Sequence, residues 1–589
     1  MADHPLPLRV RIAALALSAA AATSSSAFAQ HEQHGAPQAA AAPLAPAAES
    51  EPAPAPVPLY DGLGTAHFAV TTYHPDAQRY FDQGLRFMHA FNLEEAEASF
   101  REASRLDPSC AMCAWGTAFA LGPHINLPAL PDRTVAAAKA IAEAQRLAAA
   151  GPRAATELER ALVDAMAKRY SDPAPATPEA QAALDTGYAD AMRAIAKRFP
   201  KDAEVRFLLA EALMDLHPWD LYEAGGAPRA WTAEIVDTIE AGLELDPRHA
   251  GLHHLHIHAV EASSHPERAV SSADFLRRAM PDAGHMVHMP GHIYQRLGRY
   301  ADTALANERA VAVDGGYLPK ASPNVAFYRM LYVPHNYDFL AAATAMQGRS
   351  AETLLAARNV HAALDPEMLK QMPGFDFLLG RLQWTLLRFG RYAEVLAEPA
   401  PPEGFAFAAA AAHAARGLAL LRLHRADEAA KEAAELDAAA QPIADGATEG
   451  FNDAKVLLSI PRQLLLGELA IARGKVDEGV RLLDAAVAAE DGLRYDEPSD
   501  WHFPARHLVG ATLLRLGRNA DAEALFRADL QRNPENGWAL AGLQAALSRQ
   551  GKRADAATAA ARLAKAWADA DLGLEGLVAP EASPAASAR

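Results

Sequence analysis

A short punctuation motif recurs along this chain, and it constrains the fold more than any other sequence feature. Glycine followed by a basic residue separates pairs of Ala/Leu-rich segments with helical spacing, at Gly298-Arg299, Gly348-Arg349, Gly390-Arg391, Gly474-Lys475, Gly517-Arg518 and Gly551-Lys552. Glycine is favoured just after the end of a helix, so each motif predicts a helix, a tight turn and a second helix. Convincing strand alternation is absent between the motifs. The sequence therefore predicts an all-α chain of repeated helical hairpins.

The spacing within these hairpins resembles the tetratricopeptide repeat family, whose unit is a 34-residue hairpin with small residues where its helices touch. Residues 250–283 and 284–317 form a direct tandem pair, and residues 503–536 match again. Residues 77–110 carry the family's small, aromatic and proline residues at Gly84, Ala96, Phe100, Ala103 and Pro108. The resemblance implies a right-handed α-solenoid of about ten hairpins over residues 59–575, with a concave inner groove.

The first 29 residues have the pattern of a secretory signal peptide. Arg9 and Arg11 precede a short apolar stretch, and Ala27-Phe28-Ala29 is a small-x-small cleavage site. Cleavage before Gln30 would place the protein in the periplasm or outside the cell. We expect residues 30–58 to be a disordered Ala/Pro-rich linker and residues 576–589 a disordered tail. No stretch is long and apolar enough to predict a transmembrane helix.

Charge and the absence of familiar motifs narrow the functional classes. The chain has 55 basic and 73 acidic side chains, a net charge of −18, so we expect no nucleic-acid partner, because that role needs a basic surface. We find no phosphate-binding loop, nucleophile elbow or HExxH motif and therefore assign no catalytic residue. The repeat resemblance implies a protein partner, and the oligomeric state is left open.

Histidine is the unusual component of the composition. The chain has 23 histidines, and nine of them lie between His249 and His292. Spacings of three and four residues place His285, His288 and His292 on one stripe of a helix, and by resemblance this stripe faces the concave groove. A shift back by 34 residues aligns His254 and His258 with the same stripe. Glu261 lies one turn further, and a hairpin starting at Pro334, after an insertion at 315–333, adds His335 and Asp338.

Neutral imidazole is the commonest protein ligand for Zn, Cu and Fe, and carboxylates complete such ligand sets. The histidine-rich hairpins, residues 250–367, therefore predict a transition-metal site formed by His254, His258, Glu261, His285, His288, His292, His335 and Asp338. Two other roles of these side chains stay open: a polar network between repeats, and recognition of an organic or peptide ligand.

Three functions fit this prediction. The first is an exported scaffold that binds a transition metal, a protein partner or both. The second is a metal-free interaction scaffold of the cell envelope. The third is a metal-dependent hydrolase or oxidoreductase with Glu261 or Asp338 as its base. It ranks last, because the sequence supplies no nucleophile and names no substrate.

The two cysteines form a CxxC motif at the start of a predicted helix. Cys110 and Cys113 could form a local disulfide, a redox pair or half of a soft-metal site. Ala114 follows the second cysteine where c-type haem attachment needs histidine, so that attachment is excluded.

Overall fold

The computed structural model describes residues 57–151, 154–321, 325–501 and 503–572, and these ranges are almost entirely helical. The all-α prediction is confirmed. The proposed signal peptide, almost all of the linker and the predicted tail lie outside the described residues. No helix in the described part of the chain has the length and apolar character needed to cross a membrane.

The helices follow one another with short connections. In chain order they are α1 (Pro75–His89), α2 (Leu93–Leu106), α3 (Ala111–Leu121), α4 (Pro131–Ala148), α5 (Glu157–Met166), α6 (Pro178–Arg198), α7 (Ala203–Asp215), α8 (Thr232–Leu245), α9 (Ala250–Val260), α10 (Val270–Ala279), α11 (Gly284–His288), α12 (Pro290–Arg296), α13 (Tyr300–Tyr317), α14 (Ala326–Met346), α15 (Ser350–Ala363), α16 (Pro366–Leu369), α17 (Arg381–Arg388), α18 (Tyr392–Ala397), α19 (Ala406–Arg422), α20 (Ala426–Ala440), α21 (Ala454–Ala472), α22 (Val476–Asp491), α23 (Ala505–Arg515), α24 (Asn519–Arg532), α25 (Gly537–Arg549) and α26 (Arg553–Ala566). Short 3-10 helices cover Pro266–Ala269 and Asp376–Gly380. Strands β1 (Thr448–Glu449) and β2 (Asn452–Asp453) pair antiparallel.

Consecutive helices pack as hairpins, as the glycine motif predicts. Gly298 follows α12 with φ +72°, and Gly517 follows α23 with φ +74°, a conformation that costs glycine little and other residues more. Inside the first hairpin, a Cβ atom at Gly84 would lie 2.7 Å from the Phe100 ring. A small residue is therefore needed where α1 meets α2.

The central first helices are α9, the α11–α12 pair and α14, and the last differs from its prediction. We expected an insertion over 315–333 and a hairpin starting at Pro334, but α13 continues to Tyr317 and α14 already begins at Ala326. Pro334 lies inside α14. A proline removes one backbone donor from a helix, and α14 continues through it with buried residues on both sides, among them Tyr332 and Phe339. The sequence pattern therefore placed the start of this helix too late, at Pro334 instead of Ala326.

The chain folds back on itself, so the concave side is not an open groove at its centre. Tyr60 Oη donates to the Lys320 carbonyl at 3.2 Å, and Asn92 Nδ2 donates to Tyr317 Oη at 2.7 Å. Residues 493–501, here called the closing loop, follow α22 and reach α9, where Tyr495 Oη donates to Glu261 Oε2 at 2.7 Å. These contacts place α9, α11, α12 and α14 in the interior.

Candidate metal centre

Two groups of three histidines lie side by side at the centre of the fold. The first histidine group is His254, His258 and His285, and the second histidine group is His288, His292 and His335. Within each group, one ring nitrogen from every residue lies within 4.8 Å of the others. The structure thus brings together all six histidines singled out in the sequence. His335 is partly buried, and the other five side chains are almost fully buried.

Helical spacing explains how each group assembles. In the first group, His254 and His258 are four residues apart on α9 and share one face; His285 from α11 places its Nε2 atom 3.2 Å from His254 Nε2. In the second group, His288 and His292 are also four residues apart, and the His335 ring from α14 lies 4.8 Å from the His288 ring. Each group therefore combines two histidines of one helical stretch with one from a neighbour.

Acceptors on the outer side of the first group determine where its imidazole protons lie. His254 Nδ1 faces the His89 carbonyl oxygen at 2.7 Å, and His258 Nδ1 faces Glu261 Oε1 at 2.7 Å. Carbonyl and carboxylate oxygens only accept hydrogen bonds, so both Nδ1 atoms carry hydrogen. The Nε2 lone pairs of both rings are then available on the opposite side. His258 Nε2 is buried and makes no hydrogen bond within the described residues.

The second group has the same arrangement at closer range. His292 Nδ1 faces Glu261 Oε2, and His288 Nδ1 faces Asn307 Oδ1, each at 2.7 Å. Asn307 Nδ2 donates to the Thr303 carbonyl, which orients the Asn307 amide with its oxygen toward His288. Both Nδ1 atoms therefore carry hydrogen, yet the two Nε2 atoms lie 2.6 Å apart. Lone pairs at that distance repel unless a cation, either a proton or a metal ion, lies between them.

Burial favours the uncharged form of these rings. It holds the pKa of His254, His285 and His288 well below the usual value, and neighbouring imidazoles push the pKa further in the same direction. The pKa of His335 is lowered for the same reasons. Neutral imidazole is the form that binds metal, so the environment prepares these side chains as ligands.

A buried pair of carboxyl groups lies between the two groups. Glu261 bonds to one histidine of each group through its two oxygens, and Glu497 of the closing loop lies 2.6 Å from His292 Nδ1. Burial and the adjacent Glu261 charge raise the pKa of Glu497 well above its usual value. Burial also opposes ionisation of Glu261, but His292 and the hydrogen bonds around it hold its pKa well below the usual value. Glu261 is thus the charged member of the pair.

Aromatic rings close the centre against solvent. The Phe91 ring lies 4.3 Å from the His254 ring and 5.8 Å from the His258 ring. The Phe339 ring lies 4.5 Å from the His292 ring. These apolar walls lower the local dielectric constant, which strengthens the attraction between a bound cation and the ionised Glu261.

Sequence reasoning missed several of these contributors. Glu497, Tyr495, Asn307, Phe91 and Phe339 carry no repeat signature, and Glu497 lies more than 200 positions after the histidine pair that it approaches. The acidic and aromatic run 495–501 between two helical segments was the one available signal. It could not show which part of the chain the run would contact.

Two remaining candidates lie outside the histidine groups. Asp338 forms an ion pair with Arg381 at 2.9 Å and belongs to neither histidine group. Cys110 and Cys113 form a disulfide at the start of α3, which is one of the three alternatives that the sequence left open. Their sulfur atoms are therefore not free thiolate ligands in this structure.

A separate cluster, formed by His89, Glu204 and His249, directs its hydrogen bonds differently. His89 Nε2 and His249 Nε2 each lie 3.1 Å from one oxygen of Glu204. His249 Nδ1 accepts the Leu252 backbone N–H at 3.1 Å, so His249 Nε2 must carry hydrogen and donate to Glu204. The nitrogen that faces the cluster therefore has no lone pair for a metal ion.

Comparisons with known proteins show only a distant likeness. No protein-family model matches the chain, and no curated protein matches its sequence. Among solved structures, a human IFIT1 dimer with m7Gppp-AAAA is 10% identical, with a TM-score of 0.30 over 85% of this chain and 92% of that one. The APC/C hetero-tetramer Cut9-Hcn1 is also 10% identical, with a TM-score of 0.30 over 85% of this chain and 75% of that one. Similarity of this size identifies neither a family nor a ligand.

Proposed function

We propose that this protein is a helical-repeat scaffold that binds two transition-metal ions, one in each histidine group. The observation that carries the proposal is the contact between His288 Nε2 and His292 Nε2 at 2.6 Å, with both Nδ1 atoms bonded to acceptors. A cation relieves that repulsion, and all-nitrogen ligand sets favour zinc, copper or iron over magnesium and calcium.

The spacing of the nitrogen atoms in the first histidine group supports metal as the cation. Two imidazole nitrogens on one tetrahedral zinc ion lie about 3.3 Å apart, given Zn–N bonds of about 2.0–2.1 Å. His254 Nε2 and His285 Nε2 already lie 3.2 Å apart. The second histidine group would have to open by about 0.7 Å to reach the same geometry, a shift within the reach of side-chain rotation.

Glu261 supports the proposal as a partner of the ligands rather than as a ligand. Its oxygens lie at hydrogen-bonding distance from His258 Nδ1 and His292 Nδ1, on the side of each ring away from the Nε2 atom. A carboxylate in this position fixes the ring and makes it a stronger ligand. One Glu261 side chain therefore supports both proposed ion sites.

Elemental analysis of untagged protein, grown with zinc, copper and iron supplied together, tests the proposal. We expect about two ions per chain, falling to about one in the His288→Ala/His292→Ala variant. The matched control is His89→Ala/His249→Ala, which also removes two buried histidines but spares both groups and should keep two ions. Wild-type protein that contains no stoichiometric metal would overturn the proposal, as would a fully loaded His288→Ala/His292→Ala variant.

We further propose that the protein is exported and that its hairpins belong to the tetratricopeptide repeat family. The Cys110–Cys113 disulfide supports export, because disulfides persist in oxidising compartments. The tandem packing of α9–α10 and α11–α13 supports the repeat family. Sequencing the amino terminus of protein from a periplasmic fraction should show a chain that begins at Gln30, and retention of Met1 in the cytoplasmic fraction would contradict export.

A further inference from the structure

A cleft beside the closing loop is lined in part by His258, and its empty space, counted together with open solvent, is about 530 Å³. Its walls come from the connection between α3 and α4, from the end of α7 and the segment that follows it, from the end of α9, and from the closing loop. The lining includes Ile125, Met214, Trp219, Leu221, Tyr222, Tyr495 and His258. His258 also belongs to the first histidine group, so the cleft lies directly beside that group.

The polar atoms of the aromatic walls are already bonded elsewhere. Trp219 Nε1 donates to Asn126 Oδ1 at 3.0 Å, and Tyr222 Oη donates to the Ala259 carbonyl at 2.8 Å. Tyr495 Oη donates to Glu261, as described above. These three side chains therefore present the faces and edges of their rings to the cleft, and their hydrogen-bonding groups are used elsewhere.

The charged side chains at the cleft are also paired. Arg494 donates to Asp220 Oδ1 at 2.8 Å and to the Trp219 carbonyl at 3.1 Å. Glu223 is paired with Arg229 at 2.6 Å. No net charge remains to attract a charged ligand, because each cation at the cleft has an anion in contact with it.

Trp219 connects the cleft to the metal centre. Its ring meets the His258 ring edge-on at a centroid distance of 5.3 Å and stacks on the Phe451 ring. Its backbone has φ +55°, an unfavourable conformation for a bulky residue, and such strain is concentrated at functional sites. The fold thus keeps an aromatic ring beside His258 despite the strain at this residue.

We propose that the cleft binds a flat, neutral aromatic molecule that places one nitrogen or oxygen donor on the ion of the first histidine group. This inference rests on the proposed metal function. Three histidines leave one position open on a four-coordinate ion, and His258, one of those three, lines the cleft. The walls select for aromatic area, and the ion selects for a single donor atom.

The test uses protein loaded with Co²⁺, whose visible spectrum responds to its ligands, and 4-phenylimidazole as the probe. We expect the probe to change the cobalt spectrum and to quench tryptophan fluorescence with one dissociation constant. Imidazole, which lacks the second ring, should bind at least about tenfold more weakly, and benzoate should not compete, because the cleft favours neutral aromatic surface. Equal affinity for imidazole and 4-phenylimidazole would overturn the inference, as would an unchanged cobalt spectrum.

A substitution that fills the cleft locates the binding. Ala262 lines the cleft without joining either histidine group, so Ala262→Leu should weaken 4-phenylimidazole binding roughly tenfold or more and leave the cobalt content unchanged. Ala440→Leu, on α20 and outside the lining, is the control and should bind as wild type. Unchanged affinity in Ala262→Leu would overturn the location.

The two proposals fail in different ways. Protein with full metal content that ignores the probe overturns this inference and leaves the metal function standing. Protein that takes up no metal in the elemental analysis overturns both. The comparison of 4-phenylimidazole with imidazole uses only the wild-type protein. It therefore tests the inference even if the Ala262→Leu variant fails to fold.

Discussion

The Glu261 carboxylate accepts a hydrogen bond of 2.7 Å from His292 Nδ1, although the two residues lie on different hairpins. Its second oxygen accepts from His258 Nδ1 at the same distance. A single buried charge thus orients one imidazole of each histidine group. Because both Glu261 oxygens accept hydrogen bonds from Nδ1 atoms, the carboxylate supports the proposed ligands and is not itself a ligand. Removing its charge alone tests this role.

We expect Glu261→Gln to lower metal affinity by about 10–100-fold, the usual effect of losing such a supporting partner, without changing the number of ions bound. The glutamine keeps the shape of the side chain. Its oxygen can accept from only one of the two Nδ1–H groups, and its NH₂ group then faces the other, so two donors oppose each other. Competition with a chromophoric chelator measures the affinity. Glu240→Gln is the control, because Glu240 faces His256, which is outside both groups. Unchanged affinity in Glu261→Gln would contradict the role assigned to Glu261.

Removal of metal should lower the stability of the fold. A ligand that binds only the folded state stabilises it by about 2.7 kcal/mol for each site when its free concentration is 100 times its dissociation constant. Calorimetry of chelated protein should therefore show a lower Tm than metal-loaded protein, with recovery when zinc is returned. Chelation should lower the free energy of unfolding of the His288→Ala/His292→Ala variant by about half as much as that of the wild type, because the variant keeps one of the two proposed ion sites. An equal Tm with and without metal would contradict the prediction.

Acid should destabilise the protein by protonating the buried Glu468 carboxylate, which lies far from the histidine groups in the sequence. Burial opposes its ionisation, but Arg422 and Arg515 hold its pKa at about 2, below the ordinary 4.5. The stabilisation is complete above pH 4.5 and is lost as the pH falls through about 2, because the unfolded chain binds this proton first. Glu468→Gln should cost roughly 3 kcal/mol at pH 7 and should show a weaker loss between pH 4.5 and pH 2.

Denaturant titrations of both proteins at pH 7, 4.5, 3 and 2 measure these differences. Glu523→Gln is the surface comparison, since that carboxyl group is paired with exposed basic side chains. It should change the unfolding free energy at pH 7 by less than about 1 kcal/mol. Parallel pH curves for wild type and Glu468→Gln would show that the ion pair does not produce the acid response.

The disulfide should contribute to stability but not to metal binding. Closing a loop this short restricts the unfolded chain only modestly, so Cys110→Ser/Cys113→Ser should cost about 2 kcal/mol or less. Its metal content should equal that of wild type, because neither sulfur belongs to the histidine groups. Denaturant titration and elemental analysis on the same preparation measure both quantities. Loss of metal in this variant would indicate a link between α3 and the centre that the present contacts do not show.

The helical hairpins and the histidine stripe are local features, and both were readable from the sequence. Gly298 and the residues around it predict a hairpin because the conformation of a helix end depends on neighbours a few positions away. His288 and His292 predict a shared face because four residues make about one helical turn. The tandem shift that brought His254 and His258 into the same prediction is also local, since it copies one hairpin onto the next.

The charge state and enclosure of the site depend on contacts that no local pattern contains. Asp338 has the right chemistry for a ligand and the right helical position, yet Arg381 captures it in an ion pair. Glu497 belongs to no recognisable sequence pattern, yet the path of the closing loop places it in contact with His292. The centre of the expected concave groove is covered because the chain folds back over its own central helices.

Sequence periodicity was therefore sufficient for the helical class, the hairpins and the six histidines that meet, because each depends on spacing within one or two repeats. The tautomers, the single charged carboxylate and the aromatic cleft beside Trp219 depend on which distant side chains become neighbours. Those neighbours are selected by the burial of apolar surface over the whole chain, and that selection leaves no period in the sequence.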